Sequence, residues 1–522
     1  MGYFASIGLG ASLLPGVLWA KVAEGAEVTA DTIAQAAEVA GITLDDDERA
    51  MMVDGLKRQI AQVDALHKLP LANGVAPAVR FDPRPPLAAA AGGPSRPAST
   101  HGSGGVHDGP PTTMVRSPVR IAAVPRDAAL AFASVGTLAE LVRTRRVTAT
   151  QLTELYLARI KRYDPQLKCV ITLTEERARA QAKAADAEIA RGRWRGPLHG
   201  IPWGAKDLLA AKGYRTTWGA GPYRDQTIDD DAEVVRRLDA AGAILVAKLS
   251  LGELAQGDVW FGNGPTDAGP QETTRKGQRT RNPWNLDTGS SGSSAGPASA
   301  TAAGLVAFAI GSETLGSISS PSTRCGVTGL RPTFGRVPRT GAMALSWSMD
   351  KLGPICRSAE DCALVLDAIH GPDGRDLSCV EASFRWDATT PLRSIRVGYG
   401  KAAFDSPLTD PANGQRPLHA TKPFDDAALA VLRSKLGLEL IPVELPDAAY
   451  GAMTIILTAE AAAAFDDLTR SNRDAELVQQ GRGDWANTFR TARFITAVDY
   501  INANRQRTLA LQAWRKLFDT VD

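Results

Sequence analysis

The stretch from Thr288 to Ile318 restricts the fold more than any other part of the chain. It opens as Thr288-Gly289-Ser290-Ser291-Gly292-Ser293-Ser294-Ala295-Gly296-Pro297. By composition alone that is a flexible Gly/Ser linker. It runs without a break into Ala298-Ser299-Ala300-Thr301-Ala302-Ala303-Gly304-Leu305-Val306-Ala307-Phe308-Ala309-Ile310, which is small and apolar. A loop joined directly to such a close-packing run is pinned at the edge of a core. The run ends in Gly311-Ser312-Glu313-Thr314-Leu315-Gly316-Ser317-Ile318. That segment reads as a strand-end turn, and the backbone N–H groups of such a turn can face an oxyanion.

The surrounding chain alternates strands and helices. Thr137, with Glu140, reads as the capping box of a helix near the start of the main body. Leu152, Leu155, Tyr156 and Ile160 make a helical stripe. A helix over 231–241 stops at Gly242, and Ala243-Ile244-Leu245-Val246-Ala247 follows as a buried strand. Ser358 and Asp361 box a helix with Cys362, Val365, Leu366 and Ile369 inward. Ile395–Gly398 is strand-like, and a helix over 425–436 leads to Leu438–Ile441. This alternation predicts one large α/β domain over 134–522.

Three segments precede that domain. Residues 1–20 carry no charge and are too short and Gly-rich for a good membrane span. They read as the apolar part of an export signal, which predicts an exported or periplasmic protein, with the cytoplasm as the alternative. Residues 21–69 read as helical, with a cap at Thr29, a face of Ile33, Ala36, Ala37 and Ala40, and a second stripe of Met51, Met52, Leu56, Ile60 and Val63. Residues 70–133 contain a Pro/Gly/Ser-rich run and read as a disordered linker.

Composition excludes several functions. Lys+Arg total 59 against Asp+Glu 57, a net of +2, so charge gives no reason to expect a nucleic-acid partner. Five cysteines without a C-x-x-C pattern rule out a disulfide-rich scaffold, and the six histidines show no metal-ligand spacing. No metal and no cofactor is expected.

Lys206 stands in Gly200-Ile201-Pro202-Trp203-Gly204-Ala205-Lys206-Asp207, a mostly apolar context. Burial would lower its pKa from about 10.4 and make it a usable base. The plainer alternative is a surface pair with Asp207, and Lys248, at the end of its own strand, is a rival base. Gly292-Ser293-Ser294-Ala295-Gly296 also fits G-x-S-x-G, a nucleophile elbow centred on Ser294. That elbow needs a buried strand before it, and Asn282–Asp287 is polar and turn-like.

Taken in order, these motifs resemble the amidase signature family. The resemblance rests on G-I-P-x-x-x-K-D at Lys206, the Gly/Ser loop, G-S-E-T-x-G-S-I, Cys325–Thr333, Asp350–Pro354 and Ser358–Asp361. It implies an amidase-signature fold, a mixed central β-sheet with helices on both faces. It also implies a Ser-cis-Ser-Lys triad of Lys206 as base, Ser293 as bridging serine after a cis peptide, and Ser317 as nucleophile. Ser290 and Ser291 are alternatives to Ser293. The N–H groups of Thr314, Leu315, Gly316 and Ser317 would hold the oxyanion. The implied reaction is hydrolysis of a small linear carboxylic amide through an acyl-enzyme. The family's alternative is the amidase component of a tRNA-dependent amidotransferase. Helices 28–68 faintly resemble the small helical component of that assembly, although a helical prodomain is the simpler reading. The chain departs from the family pattern at Leu315, where Gly is common, and at Ser319, where Arg is common. Residues 263–279 look like an insertion, and a strand and Pro-rich stretch usual in the family do not follow Asp522.

Overall fold

The computed structural model describes residues 27–70, 79, 113–262, 277–410, 413–417 and 419–522. The signal-like segment 1–20 and most of the segments 70–133 and 263–279 lie outside the described residues. Among the described residues no helix is long and apolar enough to cross a membrane.

Two helices open the described chain, α1 (Ala30–Ala40) and α2 (Asp46–His67). The Thr29 hydroxyl accepts from the Thr32 amide at 3.3 Å, and the Thr32 hydroxyl accepts from the Thr29 amide at 3.0 Å. Ile33, Ala36 and Ala37 are buried on α1, as are Met52, Leu56 and Val63 on α2. Both helices and the Thr29 cap match the reading of the sequence.

Structure resumes before the end of the expected linker. Thr113–Val115 forms a two-stranded ribbon with Arg385–Asp387. Helix α3 (Val135–Arg143) is capped by Ser134, whose hydroxyl accepts the Thr137 amide at 3.1 Å. The cap is therefore Ser134 rather than Thr137. Ser134 has the extended backbone a cap needs, and Glu140 turns to Arg143 at 2.7 Å instead of closing a box.

A six-stranded mixed sheet forms the centre. Its strands are β1 (Val170–Leu173), β2 (Pro202–Lys206), β3 (Ile244–Leu249), β4 (Phe308–Glu313), β5 (Thr328–Gly329) and β6 (Lys351–Cys356), in the order β5-β6-β4-β2-β3-β1. β2 runs parallel to both β3 and β4, and the outer pairings are antiparallel. β2, β3 and β4 are buried along their whole length. Strands covered on both faces need near-continuous apolar sequence, as Ala243–Ala247 supplies.

Helices α4 (Ala149–Leu167), α5 (Glu175–Ala190), α6 (Glu233–Ala240), α7 (Ala295–Ala302), α8 (Ser319–Cys325) and α9 (Ala359–Ile369) are connected to this sheet. Leu157 and Ile160 of α4 and Ala178 and Ala182 of α5 share one apolar core with Ile244 and Val246 of β3. Ala298 of α7 and Cys325 of α8 share another with Ile355 of β6. This is the mixed α/β architecture read from the sequence.

The chain divides into two compact units rather than one domain. The first comprises residues 1–57, 82–386 and 457–494, and it contains the whole central sheet. The second comprises 58–81, 387–456 and 495–522. In it β7 (Val397–Gly400) and β8 (Leu440–Val443) pair in parallel, with α10 (Lys422–Ser434) between them in sequence. A parallel pair requires such a crossover. The residues of both strands are half-buried to exposed, and strand alternation alone does not reveal that they belong to a different unit.

Candidate active site

Lys206 is the last residue of β2, and β4, its parallel neighbour, ends one turn before Ser317. The carboxyl ends of adjacent parallel strands are where open α/β sheets place their ligands. Lys206 is completely buried. Its Nζ lies 2.7 Å from Ser293 Oγ, 2.9 Å from Ser312 Oγ, 3.1 Å from Ser294 Oγ and 3.4 Å from the Ser312 carbonyl. Burial pushes its pKa down to about 7, against a weaker upward pull from Asp350 and Glu313.

Asp207 does not pair with Lys206. Its Oδ1 lies 2.7 Å from Lys248 Nζ, and both side chains are fully buried. Lys248 also donates to the Arg215 carbonyl and to Thr216 Oγ1, each at 3.0 Å. Lys248 is thus bound away from the Gly/Ser loop, and the surface Lys206–Asp207 pair is replaced by a buried Asp207–Lys248 pair.

The Gly/Ser loop reverses direction through two successive left-handed residues, Ser291 at φ 69° and Gly292 at φ 58°. A Cβ at Gly292 would also stand 2.2 Å from Pro321 Cδ, so glycine is required there twice over. The peptide before Ser293 is trans, because no cis peptide bond occurs among the described residues. This corrects the expectation of a cis bond, and the paired left-handed residues supply the turn instead.

The serines of the loop separate by their partners. Ser293 is buried and reaches Lys206. Ser294 Oγ donates to the Ser312 carbonyl at 2.9 Å and accepts from the Ser312 amide at 3.1 Å. The Ser294 amide donates to the Ser317 carbonyl at 3.0 Å. Ser294 therefore ties the loop both to the end of β4 and to the turn carrying Ser317. Ser290 Oγ faces the Thr280 carbonyl at 3.4 Å, and Ser291 Oγ pairs with Ser320 Oγ at 2.7 Å. The short strand before the loop, Asn285–Gly289, is exposed to half-buried, so the buried strand of a nucleophile elbow is missing.

Glu313 organises the turn after β4. Its Oε2 accepts from the Ile318 amide at 2.8 Å, the Ser319 amide at 2.9 Å and Ser319 Oγ at 3.1 Å. The Gly316 amide also supports this carboxylate. Arg331 Nη1 lies 3.1 Å from Oε1, which brings a guanidinium to the turn. These donors outweigh burial and hold the Glu313 pKa down at about 2. Gly316 sits at φ 91°, a conformation that favours glycine. Leu315 is 61 % exposed, and Ser317 is half-buried. Of the four amides expected to face an oxyanion, that of Gly316 is thus engaged by Glu313, while those of Thr314, Leu315 and Ser317 make no backbone hydrogen bond among the described residues.

The structure brings Lys206 and Ser293 together through their side chains, and Ser317 to the same loop through its carbonyl. Sequence reasoning missed Ser312, Glu313 and the bracing part of Ser294. The signal was present: a Ser-Glu pair closing an otherwise apolar strand is costly to bury unless each polar group has a partner.

Comparison with known proteins gives the family and the fold. The family model described as Amidase matches residues 151–522. The A subunit of the glutamyl-tRNA(Gln) amidotransferase of Methylococcus capsulatus is 43% identical over 53% of this chain, and the match spans only 55% of that relative's length. Its counterpart in Roseiflexus sp. is 33% identical over 73% of this chain and 79% of its own. The native peptide amidase of Stenotrophomonas maltophilia superposes with a TM-score of 0.57 at 30% identity, covering 71% of this chain and 77% of that one.

Proposed function

The chain belongs to the amidase family, hydrolases of carbon–nitrogen bonds, and from that premise we propose that it cleaves a linear carboxylic amide to an acid and ammonia or an amine through an acyl group carried on Ser317. The observation that carries this reading is Lys206: a buried lysine with no carboxylate contact, its pKa near 7, with Ser293 Oγ at 2.7 Å.

Neutral Lys206 takes the proton of Ser293 Oγ as Ser293 takes that of Ser317 Oγ. The Ser317 oxygen bonds to the amide carbon, and the carbonyl π electrons move onto its oxygen. The amides of Leu315 and Ser317 stabilise that oxyanion. The proton then returns through Ser293 to the amide nitrogen, the C–N bond breaks, and the amine departs. Water, deprotonated along the same relay, attacks the ester and releases the acid. No cofactor enters the scheme. Incubation with a panel of simple amides, with ammonia release and intact mass both followed, tests it. A covalent adduct of the acyl mass on wild type but not on Ser317→Ala supports the reading, and turnover retained by Ser317→Ala overturns it.

A second reading is favoured by the relatives that are components of glutamyl-tRNA(Gln) amidotransferases. On that reading the chain is one component of a larger assembly. Purification of the tagged full chain from its own cells separates the two. Stoichiometric partner chains support the assembly, and an active chain without them supports the stand-alone hydrolase.

A further inference from the structure

A cavity of about 210 Å³ lies in the first unit beside the motif, with Ser312 and Thr314 on its wall. Leu208, Met343, Leu345 and Leu352 supply its apolar lining, and Trp347, 51 % exposed, stands on its solvent side. Ser312 is the residue whose hydroxyl contacts Lys206 Nζ, and Thr314 begins the turn that carries Ser317. A group in this cavity therefore abuts the place where the amide carbon would be held.

Every charged side chain on the wall is already committed. Asp350 Oδ1 accepts from Thr314 Oγ1 at 2.5 Å, and its Oδ2 accepts from the Leu345 and Ser346 amides at 2.8 and 2.9 Å. Arg339 is paired to Asp376 at 3.0 and 3.3 Å, and it donates to Ser378 Oγ and the Trp347 carbonyl, each at 2.9 Å. A carboxylate brought in on the substrate would lose its water, find Arg339 already paired to Asp376 and face the Asp350 charge, which only neutral donors hold, and this is strongly unfavourable. An apolar group gains from the same burial.

Size narrows the choice. An apolar cavity of about 150 Å³ accepts a benzene ring. The larger cavity here leaves room for roughly two further carbons, at about 30 Å³ each by the molecular volume of water.

We propose, on the amidase reading above, that this cavity is the acyl pocket and that it selects an uncharged apolar acyl group about the size of a phenylpropionyl or heptanoyl chain. Acyl groups that keep a free carboxylate, such as succinyl or γ-glutamyl, are excluded by the committed wall.

The test is kcat/KM across acetamide, butanamide, hexanamide, 3-phenylpropanamide, succinamate and glutamine. The value should rise roughly fourfold per methylene buried, reach at least on the order of a hundredfold over acetamide with 3-phenylpropanamide, and fall below acetamide for succinamate and glutamine. A flat series, or a preference for either charged substrate, overturns the proposal. Ala344→Leu, at a half-buried wall position, should lower the ratio of 3-phenylpropanamide to butanamide at least tenfold. An unchanged ratio also overturns it. Methanesulfonyl fluoride distinguishes the two levels of failure. Ser317 labelled with a flat amide series sinks the pocket assignment alone. No label and no amide turned over sinks the amidase reading, and the pocket assignment with it.

Discussion

Lys248 Nζ lies 2.7 Å from Asp207 Oδ1, one residue beyond Lys206 on the same strand end. Thr217 completes the cage by donating to Asp207 Oδ2 from its amide at 2.8 Å and its hydroxyl at 2.6 Å. The carboxylate nearest to Lys206 in sequence is thereby occupied elsewhere. Lys206 keeps only hydroxyl and carbonyl neighbours, which is what allows burial to lower its pKa. Asp207→Asn should leave Lys248 buried without a counter-charge and cost about 3–5 kcal/mol. Denaturant unfolding checks this, and the double variant Asp207→Asn with Lys248→Met should recover part of the loss.

The rate should follow the neutral form of Lys206. Its pKa is lowered to about 7 by burial, so the base form dominates above that pH and is lost below it. kcat/KM should be level above about pH 8 and fall tenfold per unit below about pH 6. Lys206→Ala should lose roughly 10²–10⁴-fold in rate and abolish that limb of the profile. A full pH–rate series on wild type, with circular dichroism to confirm folding of the variant, provides the check.

Glu313→Gln should disorder the turn without unfolding the protein. The carboxylate clamps the Ile318 and Ser319 amides from one oxygen, and an amide group is the weaker acceptor. A fall in kcat on the order of tenfold or more with little change in KM is expected. The linkage runs with a lowered pKa. Glu313 ionises at about 2 in the fold against an ordinary 4.5, so its stabilisation is full above pH 4.5 and is lost as pH falls towards 2. Acid unfolding of Glu313→Gln should accordingly show a shallower dependence in that window than wild type.

The legible parts of the site were those in which residue order carries the chemistry. Lys206, the Gly/Ser loop and Gly311–Ile318 stand in the sequence as separate motifs, and the sheet brings the first two together at 2.7 Å. Ser358 capped its helix as read, with the Asp361 amide at 3.1 Å. Helix α7 was hidden, because Ala295–Ala302 is so uniformly small and buried that it has no polar face to set a period. The Ser134 cap was missed because Thr137 and Glu140 imitate a capping box three residues later. The trans peptide before Ser293 was beyond reach of the sequence, since the left-handed turn at Ser291 and Gly292 achieves the same reversal. The partition into two units was likewise invisible, because chain segments distant in sequence build each one.

Ser293 and Ser294 should respond differently to substitution. Ser293→Ala removes the hydroxyl 2.7 Å from Lys206 and should slow acylation severely. Ser294→Ala removes the brace to Ser312 and should cost about 1 kcal/mol of stability with a smaller effect on rate. Stopped-flow acylation beside thermal melts of the two variants checks the contrast.

The central claim is that the acyl group resides on Ser317 while Ser293 relays the proton to Lys206. Trapping the full chain with a serine-directed covalent inhibitor, followed by peptide mapping, tests it most directly. The account predicts label on Ser317 in wild type, label lost in Ser317→Ala, and label retained in Ser294→Ala. Label found on Ser294 or Ser293 in the wild-type protein would contradict it.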